Sequence, residues 1–152
     1  MRHFMRHFMR RFALALALCV LPFTAHAEVT VESANDFETT LAKLREAIEA
    51  SPASIVTEID HAAAAKDAGL ELGPTTLVVF GNPAAGTQLM NADRSAALAL
   101  PMKMLVIETD EGVRLVYDDP ADLAESYDLG EAAAVTQRMS GLVSGLAEAA
   151  AN

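Results

Sequence analysis

The stretch Thr75-Thr-Leu-Val-Val-Phe80 decides the fold, because it is β-branched or apolar at almost every position. A strand with apolar residues on both faces is typical of the interior of a sheet, where both faces are covered. Asn82-Pro83 follows directly and provides an N-cap and an N1 proline, the residues that start a helix. The stretch therefore predicts a buried strand that leads into a helix ending before Pro101.

The segment before this strand predicts the most regular helix of the chain. Asn35 stands three residues before Glu38, which is an N-cap signature, and Ser51-Pro52 ends the pattern. Apolar residues recur between them with a period of 3.6, which predicts one buried face: Phe37, Leu41, Leu44 and Ile48.

Two further strands flank this helix. Glu28–Ser33 alternates apolar and polar residues, and Ile55–Ile59 places Ile55, Thr57 and Ile59 on one face. A short alanine-rich helix should begin at His61 and end near Gly69, which can adopt the left-handed conformation of a C-cap.

The C-terminal part predicts a hairpin and a helix. Met104–Ile107 and Val113–Tyr117 are strands joined by a turn in which Gly112 can adopt positive φ. The last helix carries an apolar stripe made of Val135, Met139, Leu142 and Leu146. Its small residues four apart, such as Gly141 and Gly145, favour close packing against another element.

This element order indicates an α+β fold, a two-layer sandwich with a sheet of about five strands and helices mainly on one face. We expect residues 28–130 to form the domain and residues 131–152 to form a C-terminal helix that packs on it. The other face of the sheet needs cover, and self-association would supply it, so we expect a homodimer.

Residues 1–27 have the pattern of a secretory signal peptide: an arginine-rich start, an apolar run of about ten residues, and Ala25-His26-Ala27 before the cut. The apolar run is shorter than the roughly 20 residues that a membrane span requires. We therefore expect cleavage after Ala27, a periplasmic or secreted protein, and no membrane span afterwards. Cleavage would leave His61 as the only histidine and remove the one cysteine, Cys19.

Several ordered motifs between Val31 and Leu129 resemble the family of domain of unknown function 302 (DUF302). These motifs are Ile59-Asp-His-Ala62, Leu72-Gly-Pro-Thr-Thr-Leu77, Phe80-Gly-Asn-Pro83, Gly86-Thr-Gln-Leu-Met90, Leu100-Pro101 and Tyr117-Asp-Asp-Pro120. The resemblance implies a compact two-layer α/β sandwich that tends to form dimers. It implies no agreed reaction.

His61 is the strongest candidate for chemistry in the sequence. An imidazole at the junction of a strand and a helix could be an axial haem ligand, a single metal ligand or a general base beside Asp60 or Glu58. It could equally be a structural histidine bonded to a neighbouring carbonyl. One histidine cannot form a His-rich metal site within one chain, so no metal site is predicted.

The loop that follows Phe80 is the second candidate. Backbone N–H groups at the start of a helix can bind an anion, although a tight turn with a capped helix explains the same residues. Any pocket of the family motif would be lined by Asn82, Gly86 and Thr87. A non-covalent haem could be held by His61 with Met90, or by two copies of His61 across a dimer axis.

The whole chain has a formal net charge of −10, which argues against a nucleic-acid-binding protein. The sequence favours a dimeric periplasmic module that binds a small ligand, with haem as one candidate cofactor, or senses one. A non-catalytic protein-interaction dimer is the alternative, and a small acid–base enzyme that uses His61 is a further one.

Overall fold

The computed structural model describes residues 28–152; the predicted signal peptide, residues 1–27, lies outside the described residues. Five strands form one antiparallel sheet in the order β1-β5-β4-β3-β2. Their bounds are β1 Glu28–Glu32, β2 Ser54–Asp60, β3 Thr75–Gly81, β4 Met102–Thr109 and β5 Gly112–Asp118. The decisive stretch is β3, which pairs with a neighbour on each side as predicted.

Five α-helices accompany the sheet: α1 Phe37–Glu49, α2 His61–Asp67, α3 Pro83–Ala92, α4 Leu123–Ser126 and α5 Ala133–Ala151. The long helices α1 and α5 pack against each other and against the sheet. The Asn35 amide donates to the carbonyl of Ala151 at 3.3 Å, which ties the start of α1 to the end of α5. The predicted α+β two-layer sandwich is confirmed.

The main core lies between the sheet and these two helices. Leu44 and Ile48 of α1 and Phe80 of β3 are almost completely buried there. Helix α5 contributes Val143, Leu146, Ala147, Ala150 and Ala151. Its small C-terminal alanines allow α5 to pack closely against α1.

The predicted face of β2 is wrong, because the strand contains a bulge. Ile55 pairs with Phe80, and the next paired residue, Thr57, lies opposite Val79, so Val56 is the extra residue. An extra residue moves all later side chains to the opposite face. Ile55 therefore packs on the core, whereas Thr57 and Ile59 belong to the other face of the sheet.

Two helix ends also differ from the prediction. The N-cap of α1 is Asp36, whose carboxylate accepts from the Thr39 N–H at 2.8 Å, and not Asn35. That hydrogen bond is the main reason why the pKa of Asp36 lies below its ordinary value. Helix α3 ends at Ala92, well before Pro101, because Asp93 adopts extended backbone and caps a separate 3-10 turn, Arg94–Leu98.

The two glycines of α5 do not mediate the predicted close packing. Gly141 and Gly145 are exposed, and a methyl group added to either would have nothing within 4 Å. The predicted apolar stripe on the same helix does face inward: Val135 and Leu146 are buried and Met139 and Leu142 are half-buried. The glycine positions therefore lie on the solvent side of α5.

The face of the sheet opposite to the core helices, here called the open face, carries a continuous apolar row. One residue from each of four neighbouring strands lies in register: Ile59, Leu77, Leu105 and Val116. Ile59 is 41% exposed, and the other three are half-buried. An apolar row across four strands is unusual on a face that only water covers.

Candidate functional site

A cavity of about 650 Å³ lies on the helix side of the sheet, where β3 ends and α3 begins. Its walls come from α3, from the first half of α5 and from the segment between α1 and β2. The lining residues are Pro52–Ser54, Val56, Phe80–Gly86, Gln88, Met90, Ala97, Leu100–Met102, Val135, Arg138, Met139, Leu142 and Val143. A largely apolar cavity of this size is typical of a site for a small molecule.

Asn82 holds two walls of the cavity together. Its side-chain oxygen accepts from the N–H groups of Ala84 and Ala85 at 2.9 and 3.2 Å, which caps α3. Its side-chain nitrogen donates to the carbonyl of Pro52 at 2.9 Å, across the sheet end. The predicted N-cap with a proline at N1 is confirmed. Since both ends of the amide are already engaged, Asn82 shapes the cavity more than it offers free bonds to a ligand.

The start of α3 has no N–H groups left for an anion. The groups of Ala84 and Ala85 bond the Asn82 side chain, and the N–H of Gly86 bonds the Asn82 carbonyl at 3.0 Å. An anion would have to displace this cap. The structure thus favours the capped-turn interpretation of the loop over an anion cradle.

Three of the five predicted site residues meet at the cavity. Gly86 and Met90 lie on α3 beside Leu100, and a methyl group added at Gly86 would lie 3.6 Å from the Leu100 side chain and 4.0 Å from that of Met90. Asn82 lines the same cavity, whereas Thr87 is exposed and is not among the lining residues.

His61 lies at the other end of the sheet. Strand β2 begins at the cavity with Ser54 and ends at Asp60, and a strand of that length spans about 20 Å. The His61 side chain is exposed at the start of α2 and does not line the cavity. The structure therefore does not bring His61 and Met90 together within one chain.

Both carboxylates that were considered as partners of His61 are engaged elsewhere. Asp60 accepts from the Ala63 N–H at 2.8 Å and so caps α2. Glu58 forms a two-point ion pair with Arg45 of α1, with distances of 2.8 Å from Nε and 2.6 Å from Nη2. The hydrogen bond from Arg45 lowers the pKa of Glu58 below its ordinary value. An acid–base pair at His61 is not assembled.

Sequence reasoning missed the α5 wall of the cavity. Arg138 stands between Val135 and Leu142 on that helix, and it is the only charged residue among those that line the cavity. The available signal in the sequence was Arg138 three residues after Val135, beside the apolar stripe of the last helix. The same pattern is typical of any amphipathic helix, so it did not indicate a binding site.

A smaller cavity of about 210 Å³ lies beside β5 and the turn that follows it. It contains the acidic cluster Asp118, Asp119 and Asp122 together with Lys103. Asp119 caps the turn by accepting from the Ala121 N–H at 2.9 Å, which accounts for one of these carboxylates structurally. Within residues 28–152, no three His, Cys, Asp or Glu side chains are grouped so as to hold a metal ion.

Comparison with known proteins agrees with the fold and the motifs. The family model described as "Domain of unknown function DUF302" matches residues 29–146. The chain belongs to the DUF302 family. The match includes most of α5, whose side chains form part of the main core.

The crystal structure of an uncharacterized conserved DUF302 protein from Bacillus stearothermophilus has a similar fold. The TM-score is 0.75 with 14% sequence identity, and the match covers 83% of this chain and 99% of the other. At that level of identity, the likeness concerns the fold alone.

Three curated relatives come from Brucella species. Proteins named "Fluoride-specific ion channel FluC 1" from Brucella suis biovar 1 and Brucella abortus biovar 1 are each 42% identical over 103 residues. The same values hold for a protein named "Fluoride-specific ion channel FluC 2" from Brucella melitensis biotype 1. The matched stretch is 67% of this chain but only 38–41% of those proteins.

Among the helices of residues 28–152, none combines the length and the hydropathy that a membrane crossing requires.

Proposed function

We propose that this DUF302 protein is an exported module that binds a small, largely apolar molecule in the cavity between α3 and α5. The observation that carries the proposal is the cavity itself: about 650 Å³, mostly apolar walls, and three of the five predicted site residues on its lining. The cavity is open to solvent on one side, since Pro52, Gln88 and Ala97 on its lining are exposed, and a bound molecule would shield its apolar walls from water.

Two features keep this space from being filled by the protein. The first turn of α3 contributes small residues to the wall, Ala84, Ala85 and Gly86, which leave room between that helix and α5. The Asn82 bonds to Pro52 and to the start of α3 fix the distance between the walls. The site therefore has a rigid frame and apolar walls, which lowers the entropy cost of binding.

Haem held by His61 is not part of this proposal. An iron-bound imidazole would have to reach the cavity, yet His61 lies at the opposite end of β2. The thioether side chains of Met90, Met102 and Met139 do line the cavity, but thioether ligation alone lacks the histidine partner that protein haem sites of this type use.

Fluoride is also a poor candidate for this cavity. Transfer of a strongly hydrated ion from water into an apolar space costs free energy, and no cluster of hydrogen-bond donors among the described lining residues would offset that cost. The Brucella relatives named as fluoride channels are more than twice as long as the matched stretch. Their name therefore does not indicate the activity of this chain.

The test is titration of the purified protein with the neutral apolar dye N-phenyl-1-naphthylamine. We expect saturable, one-to-one binding with enhanced dye fluorescence. Ala97→Phe, on the cavity lining, should weaken binding at least fivefold. Ala92→Phe is the matched control, since Ala92 is also exposed but does not line the cavity. Absence of saturable binding, or equal affinity in both variants, would contradict the proposal.

A second proposal, an interaction role as a homodimer, is supported by the open face. Its apolar row is bordered by charges of both signs: Lys103 on one side and the Arg114–Glu32 ion pair of 2.9 Å on the other. Two copies related by a twofold axis can bury the row and place opposite charges together. We propose that a second copy of this chain covers the open face.

The oligomeric state of three proteins tests this interface. In sedimentation equilibrium the parent protein should be a dimer, Leu105→Lys a monomer, and Leu98→Lys a dimer. Leu98 is the matched control because it is 85% exposed and lies on the 3-10 turn after α3. A monomeric parent protein, or a dimeric Leu105→Lys variant with a native circular dichroism spectrum, would refute the interface.

A further inference from the structure

The charge distribution of the cavity lining points to a class of ligand, and this inference rests on the proposed cavity function. Arg138 is the only charged side chain among the lining residues, and it is exposed at the rim. Val135 and Val143 on the same helix are buried. The site thus changes along α5 from an apolar interior to a cationic edge.

Most donors of the Arg138 guanidinium have no partner among residues 28–152. It donates from Nη1 to the carbonyl of Ala134, at 3.2 Å, within its own helix. Within residues 28–152 no carboxylate lies in ion-pair distance of it, whereas Arg45 is paired with Glu58. In a chain with 21 acidic residues, an arginine left without a carboxylate beside an apolar cavity is available to an anion from outside.

We infer that the ligand is an amphiphile with a single carboxylate, whose apolar chain enters the cavity and whose head group is bound by Arg138. A planar guanidinium binds a carboxylate through two parallel hydrogen bonds, which an alcohol or an amine cannot form. The net charge of −10 gives no general attraction for anions, so the preference has to come from this local contact.

The experiment compares dodecanoate with dodecanol as competitors of the bound neutral dye. The two molecules share their apolar chain and differ in the charge of the head group. The parent protein should bind dodecanoate about tenfold more tightly than dodecanol, as a charge-assisted hydrogen-bonded contact at an exposed rim predicts. Arg138→Gln should reduce that ratio below about twofold, because it weakens the binding of dodecanoate more than that of dodecanol.

Arg94→Gln is the matched control. Arg94 is also exposed and lies on the same 3-10 turn as the lining residue Ala97, but it does not line the cavity itself. Its substitution should keep the tenfold preference, and Arg138→Lys should give an intermediate ratio because the charge remains and the second hydrogen bond is lost.

The possible failures are distinguishable. A protein that does not bind the neutral dye contradicts the cavity function itself. A protein that binds the dye but takes dodecanoate and dodecanol equally, or whose preference survives in Arg138→Gln, overturns only the assignment of the ligand class.

Discussion

Replacement of Asn82 by alanine should destabilise the protein at the point where β3 meets α3. The change removes two groups of hydrogen bonds: the cap on the Ala84 and Ala85 N–H groups, and the bond to the Pro52 carbonyl. Loss of an N-cap costs about 1 kcal/mol, and loss of a partly exposed hydrogen bond costs about 1 kcal/mol more. We therefore expect the free energy of unfolding to fall by about 2 kcal/mol.

Urea denaturation followed by circular dichroism measures this change directly, and thermal unfolding should show a Tm lower by about 6 to 10 °C. Asn82→Asp separates the two contributions. A carboxylate caps a helix as well as an amide oxygen does, but it cannot donate to the Pro52 carbonyl. The free energy of unfolding of Asn82→Asp should therefore fall by about half as much as that of Asn82→Ala.

Two results would refute this reasoning. If Asn82→Ala unfolds at the same urea concentration as the parent protein, the bridge between the walls contributes nothing. If Asn82→Asp loses as much as Asn82→Ala, the cap is not the source of the stability.

Three further predictions concern other parts of the fold. Glu58→Gln should lower stability by about 1 kcal/mol or less at pH 7, because the Arg45 pair is partly exposed. Pairing lowers the pKa of Glu58 in the folded state, so its contribution to folding stability is complete above the unfolded pKa and disappears as the pH falls through the lower folded pKa. Urea midpoints measured as a function of pH should therefore fall less on acidification in the variant than in the parent protein. Gly141→Ala should raise the free energy of unfolding by about 0.5 to 1 kcal/mol, because alanine favours the helix more than glycine does. Gly112→Ala should lower it by about 1 to 3 kcal/mol, because φ is +128° at Gly112. A change of the same sign in both variants would contradict the backbone argument. Leu44→Ala removes a completely buried side chain and should cost about 2 to 5 kcal/mol in the same assay, and a cost below 1 kcal/mol would place Leu44 outside the core.

Elements with a strong local pattern were predictable from the sequence. The 3.6-residue period of α1, the β-branched run of β3 and the glycine of the β4–β5 hairpin each depend on residues close together in the chain. Their local preferences agree with the tertiary structure, so sequence alone was sufficient.

The face of β2 was not predictable in this way. One extra residue at Val56 reverses the faces of Thr57 and Ile59, and no glycine or proline marks the bulge inside the strand. Alternation rules assume an unbroken register, so a bulge that no glycine marks cannot be recognised from the residues of its own strand.

Only the α3 side of the cavity was predicted, for a similar reason. Its walls come from segments around residues 52–56, 80–90, 97–102 and 135–143, which meet only in the folded chain. Sequence reasoning gave weight to His61 because imidazole chemistry is recognisable in isolation. A possible binding role for Arg138 can be recognised only from the apolar residues that surround it in the folded chain.

The two proposed surfaces lie on opposite sides of the sheet, and this separation constrains how the protein can work. The open face carries the row that includes Leu105, whereas the cavity lies on the helix side and is framed by α3 and α5. A dimer formed through the open face would leave Arg138 exposed in both copies. If both proposals hold, ligand binding would not require dimer formation, and each copy would bind its own ligand. Strands β3 and β4 each contribute to both surfaces, since Leu77 and Leu105 belong to the open-face row and Phe80 and Met102 line the cavity. Any coupling between the proposed dimer interface and the cavity would therefore pass through the sheet.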